Sequence, residues 1–576
     1  MLRLISMLKP FTVPVIAVFI IVFGQCMADL YLPTLMSDIV NNGITNSDVD
    51  YIFSTGIKML LVAMGGSLCA VGASFLASHI AIGVSEMLRA RIFRTVTAYS
   101  VDEFDTFGTP SLVTRSTNDV MQIQNVLIMI QRMMIAAPIT AVGGMILALQ
   151  KDSGLAWIIL VAIPILGTFI GAVAAKGFPL FQAIQKKIDR LNLILRENLT
   201  GIRVIRAFNK IDYEKKRFDE RNFDLMETSV KVNRIFATLW PVMMFIMNIT
   251  VVTIIWFGSR RIDRGLSNIG DMMAFLQYGM MIMFSFLMGS IMFVMIPRAQ
   301  ASAQRINELL DIRPGVTDPE NPSVPDPSVR GRVEFRNVTY SYQGAEAPAL
   351  SGISFTAGPG ETTAVIGSTG SGKSTLLSLI PRFFDVDGGQ VLVDGVDVRD
   401  MSRTQLRSKI GLVPQKAVLF SGTVSQNIRF GKPDASQEDI ESAARTAQAY
   451  DFVAGMNGGF DAPIAQGGTN VSGGQKQRLS IARALVKRPE IYLFDDSFSA
   501  LDFKTDATLR LALKSETRDA AVIIVGQRVA SIMDADRIIV LDEGKIAGMG
   551  THKELYESCG IYREIVVSQL SEEEIA

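Results

Sequence analysis

At 576 residues the chain is too long for one hydrophobic core, so several domains are expected. A formal net charge of zero means that bulk charge predicts no partner, nucleic acid included, while 49% hydrophobic residues and a mean hydropathy of +0.30 are high for a protein dissolved in water. Three widely separated cysteines (Cys26, Cys69, Cys559) and two histidines argue against a disulfide framework, a zinc site or a multi-histidine metal centre.

The composition changes along the chain. Residues 1–300 hold long apolar runs, and residues 330–576 read as a soluble α/β domain. After Arg3 and Lys9 comes an apolar stretch over 13–35. It is long and lacks a small-residue cleavage site, so a retained span is expected rather than a signal peptide. Further spans are expected near 54–82, 126–149, 155–176, 236–258 and 270–296, six in all. The stretches 36–53, 150–154 and 259–269 are short, whereas 83–125 and 177–235 are long, polar and helix-forming. Residues 176–235 carry fourteen Lys or Arg and 36–53 carry none, which puts the long side in the cytoplasm, with both termini. Arg260, Arg261 and Arg264 run against that assignment. No acidic pair or charged cluster is apparent mid-span, so proton coupling inside the membrane is not expected. The last span is rich in methionine (Met272, Met273, Met280, Met281, Met283, Met288, Met292, Met295). Such side chains pack against neighbouring helices or offer a surface tolerant of varied apolar shapes.

Residues 313–327 contain five prolines and mark a linker. Beyond it, 333–342 alternates like a strand and carries Tyr342, and second to it Tyr340, as candidates to stack on an adenine. Next is Gly367, Ser368, Thr369, Gly370, Ser371, Gly372, Lys373, Ser374, preceded by an apolar strand and followed by a helical run from Thr375. This is the G-x-x-x-x-G-K-[ST] phosphate loop in its strand–loop–helix setting. Glycines let the backbone approach phosphate oxygens, and the helix start offers unpaired N–H groups. Lys373 is placed to reach the β- and γ-phosphates of ATP, and Ser374 to ligate Mg²⁺. Gln415 ends an apolar strand and can offer its carbonyl to the metal or to an attacking water. Ser472, Gly473, Gly474 and Gln475 open a second strongly helical run suited to a phosphate. One nucleotide needs one phosphate loop, so a second cradle implies a nucleotide shared with another subunit. The run 491–496 reads as a buried strand ending in Asp495, a candidate Mg²⁺ ligand, and Asp496. A turn to Asp502 follows, and 521–528 is a strand ending near Gln527.

Six spans followed by 367–374, Gln415, 471–475, 494–496 and 499–502, in that order, resemble an ATP-binding cassette exporter half-transporter of the bacterial multidrug type. The resemblance covers essentially the whole chain. It implies a six-helix all-α transmembrane domain (1–312), a linker (313–330) and an α/β P-loop nucleotide-binding domain (331–576), with ATP and Mg²⁺ as cofactors. It also implies a domain-swapped dimer in the bilayer, coupling helices near 109–117 and 208–216, and ATP sandwiched between one subunit's phosphate loop and the other's 471–475, with Asp502 nearby. Two positions depart from the family. Asp496 stands where Glu is usual, and Gln527 where His is usual. A side chain one methylene shorter sits roughly 1.5 Å too far back to polarise water, and a misplacement of about 1 Å can cost on the order of a hundredfold. Gln466 stands where an acidic residue is common. The resemblance therefore implies the degenerate-site half of a heterodimeric exporter of hydrophobic or amphipathic small molecules, lending 471–475 to a competent partner. The alternatives are a homodimeric lipid, peptide or siderophore exporter, or a non-transporting regulatory subunit. The lack of an extra regulatory segment, and a start at the membrane without a protease domain, are expected to count against the regulatory and one peptide-export variant.

Overall fold

The structure, a computed structural model, describes residues 6–570; the first five residues, Arg3 among them, and the last six lie outside it. The chain divides into two compact units. One runs to Thr95 and resumes over Pro110–Asp311; the other is Val96–Thr109 together with the chain from Ile312 onward.

The first unit contains helices long and apolar enough to cross a membrane. Six are found among the described residues: Met7–Ile44, Val49–Ala98, Thr109–Lys151, Ala156–Gly177, Ile211–Asp263 and Ile269–Gly289. Their outer faces carry large exposed apolar side chains such as Val13, Phe53, Leu68 and Phe75. That pattern suits hydrocarbon, where a helix satisfies its own backbone and need not hide its surface. Contacts between spans use small residues: Ala73 and Ala77 pack against Val18, Val22 and Cys26, letting the backbones approach. Tyr278 is fully buried and donates its hydroxyl to Leu30 O at 3.0 Å. The third span is not a uniform α-helix. It contains π-helical turns at Arg115–Asp119 and Ile130–Met134.

Two of the arginines that run against the charge rule have local partners. Arg261 Nε pairs at 3.0 Å with the buried carboxylate of Asp152, and Arg260 lies 5.0 Å over the Trp256 ring. Nearby, Lys151 Nζ lies 3.1 Å from Asp271.

At the other end of the last long helix, Asp119 is buried and accepts from Ser302 Oγ at 2.9 Å and Arg305 Nε at 2.8 Å. That bond holds the Arg305 guanidinium above its ordinary pKa. Asp119→Asn removes the charge and leaves the arginine facing an amide. The expected cost is about 2 kcal/mol, in the range for hydrogen bonds to charged groups and moderated because Arg305 is half exposed. A lowered thermal unfolding midpoint of the purified chain checks it; an unchanged midpoint would refute it.

The second unit is built on two sheets. An antiparallel sheet runs Leu350–Ala357, Val333–Tyr340, Gly388–Val393, Val396–Asp397 in spatial order. A six-stranded sheet runs Lys545–Gly550, Arg537–Asp542, Thr362–Gly367, Ala521–Val525, Ile491–Asp495, Ile410–Val413. Its last five strands are parallel and read as largely apolar runs because both faces are covered.

The helix of the first loop that joins this unit is Val101–Phe107. Val101 packs on the core beside the antiparallel sheet, and Glu103 Oε1 accepts from Gly315 N at 2.9 Å. The resemblance implied a coupling helix near 109–117; this short helix immediately precedes that range and ends at Gly108, whose φ is 69°. Near 208–216 the chain does break, between helices Ala156–Ala207 and Ile211–Ala237. Phe208, Ile211 and Tyr213 are exposed at that tip.

Candidate functional site: a nucleotide cradle at the ends of parallel strands

Parallel strands all end on one side, so the residues just beyond them converge. Three such ends build this site. Thr362–Gly367 leads into the phosphate loop, Ile491–Asp495 into Asp496, and Ala521–Val525 into Gln527. Ile410–Val413 adds Gln415 from the neighbouring strand.

The loop glycines are needed sterically. Gly370 and Gly372 have φ of 86° and 95°, a region L-residues avoid. A Cβ on Gly367 would lie 2.1 Å from Leu541 O, and one on Gly372 2.6 Å from Ala349 O. Gly372→Ala is therefore expected to weaken nucleotide binding at least tenfold, since strain and clash together exceed about 1.4 kcal/mol. Titration with a fluorescent ATP analogue reads this directly, and unchanged affinity would contradict it.

Lys373 Nζ folds back over the loop, donating to Gly367 O at 2.9 Å and Ser368 O at 2.6 Å. Burial pushes its ammonium below the ordinary lysine value, and the charges of Asp496 and Asp495 oppose that shift. Ser374 Oγ donates to Asp495 Oδ1 at 2.9 Å. Burial holds the Asp495 carboxyl above its usual range; the Ser374 bond works the other way and the Asp496 charge adds to the rise. A hydroxyl and a carboxylate brought together beside a lysine form an oxygen donor set of the kind Mg²⁺ takes. The residues present thus fit the ion.

Asp496 is 8% exposed and sits at φ 46°, with its N–H bonded to Val525 O at 2.9 Å. Two amides converge on one of its oxygens. Gln527 Nε2 donates to Oδ2 at 2.9 Å and Gln415 Nε2 to the same atom at 3.2 Å.

Of the two tyrosines, Tyr342 is 41% exposed and Tyr340 only 4%. Tyr342 shares a hydrogen bond of 2.8 Å with Thr375 Oγ1, beside the loop. Its ring is held edge-on by Tyr340 and Phe384. Tyr340, the last residue of its strand, is a core residue, whereas Tyr342 lies beyond the strand's end.

Ser472 caps the helix Gly473–Leu485. Its Oγ accepts from Gln475 N at 3.3 Å, and Gln475 Oε1 accepts from Ser472 N at 2.9 Å. Asp502 likewise caps Phe503–Glu516, accepting from Thr505 N at 3.0 Å. Gln466 opens an exposed turn. One positioning residue was not foreseen. Gln569 donates to Gln527 O at 2.9 Å and accepts from Val529 N at 2.8 Å, tying the last helix to the turn that presents Gln527. It lies 42 residues away in a run with no motif, so the sequence carried no signal for it.

Comparison with known proteins agrees with this architecture. Residues 15–286 match the family profile "ABC transporter transmembrane region" and residues 350–499 match "ABC transporter". An uncharacterised ABC transporter ATP-binding protein of Mycobacterium tuberculosis is 43% identical over 546 residues, 94% of each chain. YfiB of Bacillus subtilis, described in the same words, is 37% identical over 573 residues, 100% of this chain and 99% of that one. An ATP-dependent lipid A-core flippase of Chromobacterium violaceum is 31% identical over 538 residues, covering 93% and 92%. Among solved structures, a bacterial Atm1-family ABC exporter with ATP bound has the same fold, with a TM-score of 0.79 at 23% identity over 98% of this chain and 99% of that one. With its apolar helices joined to an ATP-binding domain in one chain, the protein belongs to the ATP-binding cassette transporter family, as a multi-pass membrane ATPase of the exporter type.

Proposed function

We propose that this chain is one half of a heterodimeric exporter of hydrophobic or amphipathic small molecules, and that its own ATP site hydrolyses poorly. The observation that carries the reading is the Asp496 carboxylate, one methylene short of the family's glutamate and held on Oδ2 by Gln415 and Gln527. Gln527 stands where the family has histidine. It spans to the carboxylate as a neutral amide and lacks the imidazole's geometry at the γ-phosphate.

Lys373, the loop N–H groups and Tyr342 hold the ATP. Ser374, Asp495 and Gln415 would hold a Mg²⁺, which would supply positive charge to the phosphates. Ser472 to Gln475 face the partner's nucleotide, completing a competent site there, with Asp502 in the adjoining turn. Closure over two nucleotides shifts the membrane helices between inward- and outward-open arrangements by differential affinity for the two states. The ATP-binding domain lies in the cytoplasm, an assignment supported by the basic 176–235 segment. The relatives described as lipid A-core flippases favour one second reading, a homodimer moving an amphipathic lipid.

ATPase activity of the chain alone and with a half-transporter encoded beside it separates the two. Near-inactivity alone, restored by the partner, is expected. Brisk cooperative hydrolysis by the chain alone would overturn the heterodimer.

A further inference from the structure

Two adjoining chambers lie within the membrane unit. The first, about 720 Å³, is lined by Asp29 of the first span, Arg132 of the third, Gln25, and methionines that include Met280, Met281 and Met288. The second, about 740 Å³, is lined by Ala141, Val142, Ile170 and Phe286 among others, and no charged residue lines it. Ala137 and Ser285 line both, so the chambers adjoin at those residues.

Asp29 and Arg132 make neither an acidic pair nor a charged cluster, but both face the first cavity. Asp29 and Arg132 are single charges in separate apolar runs, and the helices bring them to one cavity. They form no ion pair with each other among the described residues; the ion pairs of this unit are elsewhere. An ionisable group in a span is costly and marks a transport path more often than a structural contact. The helix itself is modified where Arg132 enters. Ile130–Met134 is a π-helical turn, a feature that re-aims side chains and concentrates at functional sites. The second chamber is open because its lining is small. Added Cβ atoms at Gly167, Gly171 and Gly289 would meet nothing within 4 Å.

We propose that these adjoining chambers bind one amphipathic zwitterion, with its cationic group answered by Asp29, its anionic group by Arg132, and its apolar chain in the second chamber. The proposal rests on the export reading and names its cargo class. A simple cation gains from Asp29 and is opposed by Arg132; a simple anion meets the reverse. A molecule with both charges gains from both, and discrimination comes as much from the opposed charge as from the matched one. Methionines beside the charges adapt to varied apolar shapes.

The test uses the full-length chain in its assembled form in lipid nanodiscs. Equilibrium binding is measured for dodecyl sulfobetaine, dodecyltrimethylammonium, dodecyl sulfate and hexyl sulfobetaine, each below its micelle-forming concentration. The sulfobetaine is expected to bind about tenfold tighter than either singly charged relative, a difference of about 1.4 kcal/mol. Asp29→Asn should weaken the sulfobetaine and the cation and strengthen the anion, and Arg132→Gln should do the opposite. Gly171→Leu should weaken the dodecyl probe and spare the hexyl one. An unchanged order of head groups in both charge variants would overturn the proposal. So would equal weakening of the dodecyl and hexyl probes in an assembled Gly171→Leu chain.

Proteoliposomes distinguish the source of the zwitterion. ATP-driven translocation of fluorescent phosphatidylcholine supports a lipid cargo, and movement of the sulfobetaine alone supports a free amphiphile. If the head-group order holds and neither probe moves, the site stands and the export reading fails.

Discussion

Replacing Asp496 by Glu together with Gln527 by His is expected to raise hydrolysis at this chain's own site by on the order of a hundredfold. The argument is geometric. Asp496 leaves the strand at φ 46°, pinned by its N–H to Val525 O, so the backbone cannot advance to make up the missing methylene. Its Oδ2 already accepts two amide hydrogens, from Gln527 at 2.9 Å and Gln415 at 3.2 Å. A longer carboxylate carries its oxygens forward, and removing Gln527's amide releases one of the two bonds that hold them back. The substitutions touch one another, so their effects should not add. Asp496→Glu alone is expected to recover part of the rate and Gln527→His alone little. Single-turnover hydrolysis in the assembled transporter, with the partner's own site disabled, measures the cycle. An unchanged rate in the double variant would remove the degenerate-site reading.

Ser472→Ala should lower hydrolysis by the assembled transporter by about two to three orders of magnitude, the scale for losing one preorganised donor at a reacting centre. Here the serine has two tasks that a single substitution confounds. It caps its own helix through Gln475 N, a contact whose loss costs about 1 kcal/mol. On the proposed reading it also donates to the partner's nucleotide. The helix is anchored by buried Leu479, Ile481 and Leu485, so it survives the lost cap. Ser472→Asp separates the tasks: aspartate caps as well as serine and repels phosphate. If the capped but acidic variant restored the rate, the serine would be structural and the shared-site reading would fall. Loss in both variants with a normal unfolding midpoint in the second is the expected result.

Much of the fold was legible because its signals are local. Apolar runs of membrane length, a proline-rich stretch and the phosphate loop each follow from a few consecutive residues and the backbone chemistry they allow. The loop needs Gly370 and Gly372 at positive φ, and the strand and helix around it are written in the neighbouring residues. The candidate site was legible as a set of motifs, but its internal wiring was not. Nothing in sequence says that Gln415 and Gln527, 112 positions apart in the numbering, donate to one oxygen of Asp496. That follows from which parallel strands are neighbours. Tyr342 and Tyr340 differ by two positions, but the strand ends at Tyr340, and Tyr342 beyond it is exposed beside the loop, bonded to Thr375.

The sequence by itself determined the number of apolar helices, the ATP-binding chemistry and the two departures at Asp496 and Gln527, since each is a property of one short segment. Tertiary structure alone decided that Arg261 is matched by Asp152, that Gln569 holds the Gln527 turn, and that Asp29 and Arg132 share a cavity. Each of these is a meeting of single polar residues from distant segments. Such meetings are set by how whole helices and strands pack, and the packing is governed by apolar surface that carries no record of which polar partners it will bring together.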